Sequence, residues 1–330
     1  MANRNTTTRW IIAGAAAVVV VAASVVVIVL SLREDPPTEP VSPTSAPTTD
    51  PTSTVVPSTR PGDGTTTTEP AEVDEVDETI TVGDRERRYK VVAPLDIDDD
   101  EELPAVVVLH GLGVSAEGIS RAADWRQAVE RDRFLAVFPQ GEGNSWNMGP
   151  CCLPASLVGV DDESFLEEVV AQLQARPDVD EDRLYLTGFS NGALMVYDFT
   201  CGHPGVFAAI APMAGSNLSR CTPQEPTSLL HQHSDPDSVV PYDGGLSFGQ
   251  LIAGADFPDV PGSVARWAEQ SGCDAGPEQE EDEDVERFTW TGCPDGVRVE
   301  LIRVPGKGHV WLDRGDFDSL EAVLEFFDLS

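Results

Sequence analysis

Positive charge is scarce in this 330-residue chain: 21 Lys and Arg stand against 57 Asp and Glu, a formal net charge of -36. Lysine itself occurs only at Lys90 and Lys307, so nearly all the basic charge is arginine. A surface this acidic repels phosphate backbones and anionic lipid headgroups, which excludes nucleic acid and acidic membrane surfaces as partners. The balance suits a protein kept soluble by self-repulsion outside the cytoplasm, at high salt. Metal-ligand spacing is missing too. There is no C-x-x-C, and all six cysteines lie between Cys151 and Cys293. An even number in a chain with an export segment points to disulfides, not to metal ligation. Adjacent Cys151 and Cys152 would close a strained small ring if joined to each other, so each is expected to reach a distant partner. Internal repeats are absent. Large apolar side chains are almost absent from Pro36 to Pro70, where Pro, Thr and Ser dominate. Such a segment buries no core and reads as an extended stalk, reaching roughly 100 Å in polyproline geometry.

What the chain does have falls into four parts. Residues 1–9 carry Arg4 and Arg9 ahead of an uncharged run, Trp10 to Leu32, rich in Val and Ala. As a helix rising about 1.5 Å per residue, that run spans roughly 30 Å, the thickness of a hydrocarbon core. It continues apolar past Ala22-Ala23-Ser24, where a cleaved signal would end, and so is expected to remain as a transmembrane anchor; the alternative is a signal that is removed. The arginines keep the N-terminus inside and place everything after residue 33 outside. Residues 33–77 form the stalk, and residues 78–330 the folded domain, expected to be a monomer.

Within that domain Thr79–Val82 and Arg87–Ala93 alternate as antiparallel strands around a Gly83-Asp84 turn. Ala105–Leu109 and Phe134–Phe138 read as fully buried parallel strands. Helices are expected over Ser115–Arg131, Asp162–Ala175, Ala193 to Cys201 and Leu320–Phe327. Further strands are expected at Leu184–Leu186, Phe207–Ala211, Ser228–His233 and Val297–Val304. The alternation implies a mostly parallel sheet with helices on both faces and antiparallel strands at its start, within the α/β class. The acidic stretch Glu278 to Glu286 reads as a solvated loop.

The chemistry centres on Gly188-Phe189-Ser190-Asn191-Gly192. Preceded by a buried strand and followed by a helix, this is a G-x-S-x-G nucleophile elbow in its required setting. The serine sits in strained backbone at a tight turn that leaves no room for a β-carbon at the flanking positions. A serine hydroxyl is a poor nucleophile at neutral pH and needs a base oriented by an acid, which follow in the order Asp then His in this fold. Of five histidines, only His309 lies in a flexible loop after a late strand, Gly306-Lys307-Gly308-His309. His231 and His233 alternate on one strand and read as structural, and His203 as a helix-end residue. The loop after Ser228–His233 offers Asp237 as the acid, with Asp235 as the alternative. The oxyanion hole pairs the N–H of Asn191 with that of Leu112 in the His110-Gly111-Leu112-Gly113 turn. No metal or organic cofactor is required.

Taken in order, HGLG, FPQG (Phe138 to Gly141), SWNMGPCC (Ser145 to Cys152), DDESF (Asp161 to Phe165), VDEDRLYLTGFSNGALM, FAAIAPMAG, DPDSVVPYDGG and GKGHVWL resemble the secreted α/β-hydrolase esterases. That family includes polyhydroxybutyrate depolymerase-like and feruloyl or acetylxylan esterase-like enzymes. The resemblance covers about residues 79 to 330. It implies Ser190 as nucleophile, Asp237 as acid and His309 as base. It further implies disulfides from Cys151 and Cys152 to Cys201 and Cys221, and from Cys273 to Cys293, with Trp146 and Trp311 lining the substrate cleft. This chain departs from the family in having His233-Ser234 for His-Gly, Glu163-Ser164 for Val-Gly and Lys307 for Gly. The expected activity is an extracytoplasmic serine esterase acting on hydroxyalkanoate polyesters or oligomers, or on feruloyl or acetyl esters of polysaccharide. A serine peptidase of the same fold and a catalytically silent surface-binding protein are the alternatives.

Overall fold

The computed structural model describes residues 72–149, 151–246, 256–282, 284–294, 296–312 and 317–330. The expected anchor at 10–32 and residues 33–71 of the stalk expected at 33–77 lie outside the described residues. Among the described residues, no helix is long and apolar enough to cross a membrane.

Ten strands make one sheet. In chain order they are β1 (Val73–Val82), β2 (Arg85–Pro94), β3 (Leu103–Leu109), β4 (Leu135–Pro139), β5 (Val179–Phe189), β6 (Ala209–Met213), β7 (Ser228–Asp235), β8 (Ala275–Glu281), β9 (Glu286–Thr291) and β10 (Val299–Pro305). Their order across the sheet is β1-β2-β4-β3-β5-β6-β7-β10-β9-β8. The six from β4 to β10 run parallel, and an antiparallel pair flanks them at each edge. The helices are α1 (Ala116–Ser120), α2 (Trp125–Asp132), α3 (Ala155–Val158), α4 (Asp162–Gln174), α5 (Asn191–Gly202), α6 (Val260–Gln270) and α7 (Ser319–Phe326).

Strand β3 shows why the central strands are continuous apolar runs. Ala105, Val107 and Leu109 face one core, packed by α4, α5 and α6, while Val106 and Val108 face the other, packed by α1, α2 and α7. A strand buried on both faces has no polar position to alternate with. Helix starts follow side-chain caps: Asp161 accepts from Ser164 N–H, Asp259 from Gly262 N–H, and Asp318 from Leu320 and Glu321 N–H. Each satisfies donors that the first turn leaves unpaired.

Four expectations change. Strand β1 starts at Val73, ahead of the expected Thr79, because the acidic stretch VDEVDE is itself part of an edge strand whose Glu75 pairs with Lys90 and Arg126. The single helix expected over Ser115–Arg131 is two, α1 and α2, separated by residues 121–124. The expected acidic loop is the hairpin β8–β9. Every residue of β8 is exposed, so no apolar alternation marks it. The cysteine pairing is Cys151–Cys152, Cys201–Cys221 and Cys273–Cys293. Only the third bridge matches expectation. The end of α5 meets the loop after β6 at a Cα separation of 6.1 Å, ordinary bridging distance, so Cys201 and Cys221 satisfy each other. The two adjacent cysteines are left to pair together.

Candidate active site

Strand β5 delivers Ser190 to the carboxyl edge of the sheet, and α5 begins at the next residue. Ser190 holds φ 55° and ψ -117°, a conformation that a non-glycine residue keeps only when its surroundings enforce it. Its N–H donates to Met213 O at 2.9 Å, and its O accepts from Leu194 N–H at 3.1 Å, fixing the turn from both sides. The flanking glycines are steric necessities. A β-carbon on Gly188 would lie 2.8 Å from Gly192 C, and one on Gly192 would lie 2.7 Å from His110 O. The elbow is therefore clamped against the end of β3.

His309 bridges the other two groups. Its Nδ1 lies 2.7 Å from Asp237 Oδ2 and its Nε2 lies 2.8 Å from Ser190 Oγ. A carboxylate only accepts, so Nδ1 carries the hydrogen and Nε2 offers its lone pair to the Ser190 hydroxyl. The loop carrying His309 is held by Ser234, ahead of the turn carrying Asp237: Ser234 Oγ accepts from Lys307 N–H at 2.9 Å and Gly308 N–H at 2.8 Å. The serine that replaces the family's glycine thus ties two strand ends together. Asp237 is 6% exposed, and its Oδ1 accepts from Val239 and Val240 N–H at 2.7 and 2.9 Å. Burial alone would raise its pKa, but hydrogen bonds from His233 and His309 outweigh that and hold the carboxyl well below the usual carboxylate range. Asp235, the alternative acid, points elsewhere and binds Arg303 at 2.6 Å.

The HGLG turn and the first residue of α5, the expected oxyanion residues, lie against the elbow. Gly111 packs so closely on the elbow that a β-carbon there would lie 2.9 Å from the Phe189 ring. Gly113 N–H donates to Asn144 O and Val114 N–H to Gly111 O, with Leu112 at the outer tip of the turn. Asn191 opens α5, where a backbone N–H has no acceptor within its own helix. Its side chain faces inward: Oδ1 accepts from Trp146 N–H at 2.7 Å, and Nδ2 donates to Trp146 O and to Cys152 Sγ, each at 3.2 Å. The expected role of Trp146 in lining the cleft is corrected here. It is fully buried, and its Nε1–H donates to His110 O at 2.8 Å, so it braces the HGLG turn from beneath. Trp311 is half-buried, its ring centroid 6.0 Å from Phe189 and 6.5 Å from Trp125, backing the base's loop.

His110 is the buried keystone of this side. Its Nδ1–H donates to Gly111 O, and its Nε2 accepts from Gly141 N–H, both at 2.9 Å. Burial lowers its pKa to about 4, against 6.5 for a free histidine. Between those values the unfolded chain binds a proton that the folded one refuses, so stability falls as pH drops from about 6.5 to about 4 and levels off below. The loss from His110 should approach about 3 kcal/mol. Thermal midpoints measured from pH 7 to pH 4 should fall more steeply for the wild type than for His110→Gln, and parallel curves would refute the assignment.

Among the described residues, no group of three or more His, Cys, Asp or Glu side chains could hold a metal ion. A polar cavity of 590 Å³ lined by residues such as Arg88, Lys90, Gln140 and Asn144 includes none of Ser190, His309 or Asp237.

No family model matches the chain. It is 29% identical over 236 residues to "Feruloyl esterase B" of Piromyces equi, covering 68% of this chain and 42% of that protein. It is also 29% identical over 250 residues to "Putative esterase NocK" of Nocardia uniformis subsp. tsuyamanensis, covering 70% of this chain and 72% of that one. "Poly(3-hydroxyalkanoate) depolymerase C" of Paucimonas lemoignei is 27% identical over 190 residues, or 56% of this chain and 44% of the relative. The chain thus spans less than half the length of the first and third of these relatives. In three dimensions, an acetyl xylan esterase from Aspergillus awamori superposes with a TM-score of 0.56 at 14% identity, covering 77% of this chain and all of that one. The sheet order, the elbow and the acetyl xylan esterase superposition give the chain the α/β-hydrolase fold, and its sequence is similar to those of relatives named as feruloyl esterase, esterase and poly(3-hydroxyalkanoate) depolymerase.

Proposed function

We propose that the protein is an extracytoplasmic serine esterase, and the observation that carries the reading is the unbroken contact Ser190–His309–Asp237 at the elbow. His309 Nε2 takes the Ser190 proton as Oγ attacks the ester carbonyl carbon. The developing oxyanion is met by the N–H groups of Asn191 and Leu112, while Asp237 stabilises the imidazolium. His309 then gives its Nε2 proton to the departing alkoxide, leaving an acyl-Ser190. Water, deprotonated by His309, attacks that acyl carbon and releases the carboxylic acid and the free serine. Each step balances with the ester and water alone.

The substrates that fit the relatives are hydroxyalkanoate polyesters or oligomers and feruloyl or acetyl esters of polysaccharide. Three cysteine pairs favour an oxidising compartment. On this reading residues 10–32 anchor the folded domain to the outer face of the membrane through the stalk that begins at residue 33. A fluorophosphonate probe tests the chemistry directly. The folded protein should be labelled at Ser190, as located by peptide mapping; no label there would overturn the esterase reading in favour of a silent binding protein.

A further inference from the structure

Behind Asp237 lies a chain of buried polar groups that the mechanism above does not use. His231 and His233 sit two residues apart on β7, both with 0% exposure, their rings near parallel with centroids 5.4 Å apart. Tyr197, on α5 two turns beyond the nucleophile and also fully buried, reaches His231 Nδ1 with its hydroxyl at 2.7 Å. His231 Nε2 lies 3.2 Å from His233 Nδ1. His233 Nε2 lies 2.9 Å from Val240 O and 3.4 Å from Asp237 Oδ2, the same oxygen that receives His309 Nδ1–H.

The direction of every hydrogen bond in this chain follows from its far end. Val240 O is a carbonyl and Asp237 Oδ2 a carboxylate oxygen, and both accept only, so His233 carries its hydrogen on Nε2. With a single hydrogen on the His233 ring, its Nδ1 is a lone pair and receives Nε2–H from His231. That leaves His231 Nδ1 as a lone pair, which receives the Tyr197 O–H. In this arrangement each ring nitrogen is satisfied. Burial, with His233 alongside, pushes the His231 pKa well below its ordinary value, which keeps the ring neutral. A buried chain with a single consistent polarity is worth more than its separate contacts, because each donor strengthens the next.

We infer that His233 is a positioning residue of the esterase site, donating to Asp237 Oδ2 so that the carboxylate keeps its aim on His309, and that Tyr197 fixes the required His233 tautomer through His231. The inference rests on the esterase reading. Without the Tyr197 hydroxyl, His231 is free to turn its hydrogen to Nδ1. Its Nε2 lone pair then calls the His233 hydrogen to Nδ1, and Asp237 loses a donor from a protein whose packing is unchanged.

The test is steady-state hydrolysis of p-nitrophenyl acetate by His233→Leu, His233→Gln, Tyr197→Phe and Ser190→Ala, with thermal midpoints recorded alongside. For His233→Leu kcat should fall by about 10- to 100-fold, the loss seen when an oriented imidazole loses its outer partner, while KM holds. His233→Gln, whose amide can place an N–H near the lost Nε2, should recover most of that loss. Tyr197→Phe should lower kcat by about 3-fold or more and shift the downfield proton resonance of the His309–Asp237 bond, a readout that needs no other variant to fold. Wild-type kcat in folded His233→Leu, or a His233→Gln as impaired as the leucine variant, would reduce His233 to a packing residue. Should the leucine variant fail to fold, an unchanged resonance and kcat in Tyr197→Phe would overturn the inference just as well. Ser190→Ala separates the two levels: if it is inactive while folded His233→Leu is fully active, only the positioning role falls, whereas activity surviving in Ser190→Ala overturns the esterase reading and this inference with it.

Discussion

Ser190→Ala is expected to lower kcat on p-nitrophenyl acetate and butyrate by about 10⁶, with a thermal midpoint close to wild type. The size follows from what the three side chains do together. Once Oγ is gone, His309 has no proton to take and Asp237 no imidazolium to stabilise, so losing the serine removes the whole device. What remains is whatever the oxyanion donors and binding supply. Two further variants sharpen the expectation. Ser190→Ala combined with His309→Ala should be no slower than either alone, because groups that act as one unit are not additive. Asp237→Asn should cost less, about 10⁴, since the base stays in place but its tautomer is no longer enforced. The fold should tolerate Ser190→Ala, because the strained backbone at φ 55° is imposed by Met213 and Leu194 through main-chain bonds that alanine keeps. A Ser190→Ala enzyme within tenfold of wild type would place the nucleophile elsewhere.

How much of this could be read from the chain depended on whether the deciding partner was near in sequence. The elbow was legible because its requirement is local: two glycines must clear a turn that the serine itself occupies, and both lie within two residues of it. The buried parallel strands were legible because burial on both faces writes itself as an unbroken apolar run, as in β3. Asp235 and Asp237 could not be separated with the same certainty, since chain order suits either. The fact that distinguishes them is Arg303, 68 residues away, which binds Asp235. Trp146 was misread for the opposite reason. It stands beside the cysteine pair in sequence, but its environment is set by His110 and Asn191, 36 and 45 residues off. Strand β8 was not legible because an exposed, glutamate-rich edge strand carries no apolar period, and its charges keep such an edge from pairing with another chain. Helix α6 carries a start signal in the sequence itself, Asp259 as a cap with Pro261 just inside. His233 gave no sign of more than a structural part, because its partners are assembled only when α5, β7 and the acid loop come together.

Gly192→Ala is expected to destabilise the protein by about 4 kcal/mol or more, enough to leave little folded enzyme and no Ser190 labelling. The added methyl would fall 2.7 Å from both His110 O and Leu109 C, and closer still to Leu109 O. These are backbone atoms at the end of a strand whose residues are wholly buried. No side-chain rotation relieves the clash. Moving α5 away from β3 would pull at the Ser190 N–H bond to Met213 O and at the contact between Gly215 and Ala193, where a β-carbon on Gly215 would itself sit 2.6 Å from Ala193 Cβ. The same shift would carry the Asn191 N–H away from the site, so any folded remainder should also be slow. Gly83→Ala provides the control. That glycine sits in the β1–β2 turn at φ +61°, with nothing within 4 Å of the position a β-carbon would take. Its cost is purely conformational and should be about 1 kcal/mol, with full activity retained. Denaturant midpoints for the two variants therefore distinguish steric exclusion at the elbow from ordinary glycine backbone preference. Equal, small shifts would mean that the turn can open without loss, and the close approach of β3 to α5 would not be what holds Ser190 in place.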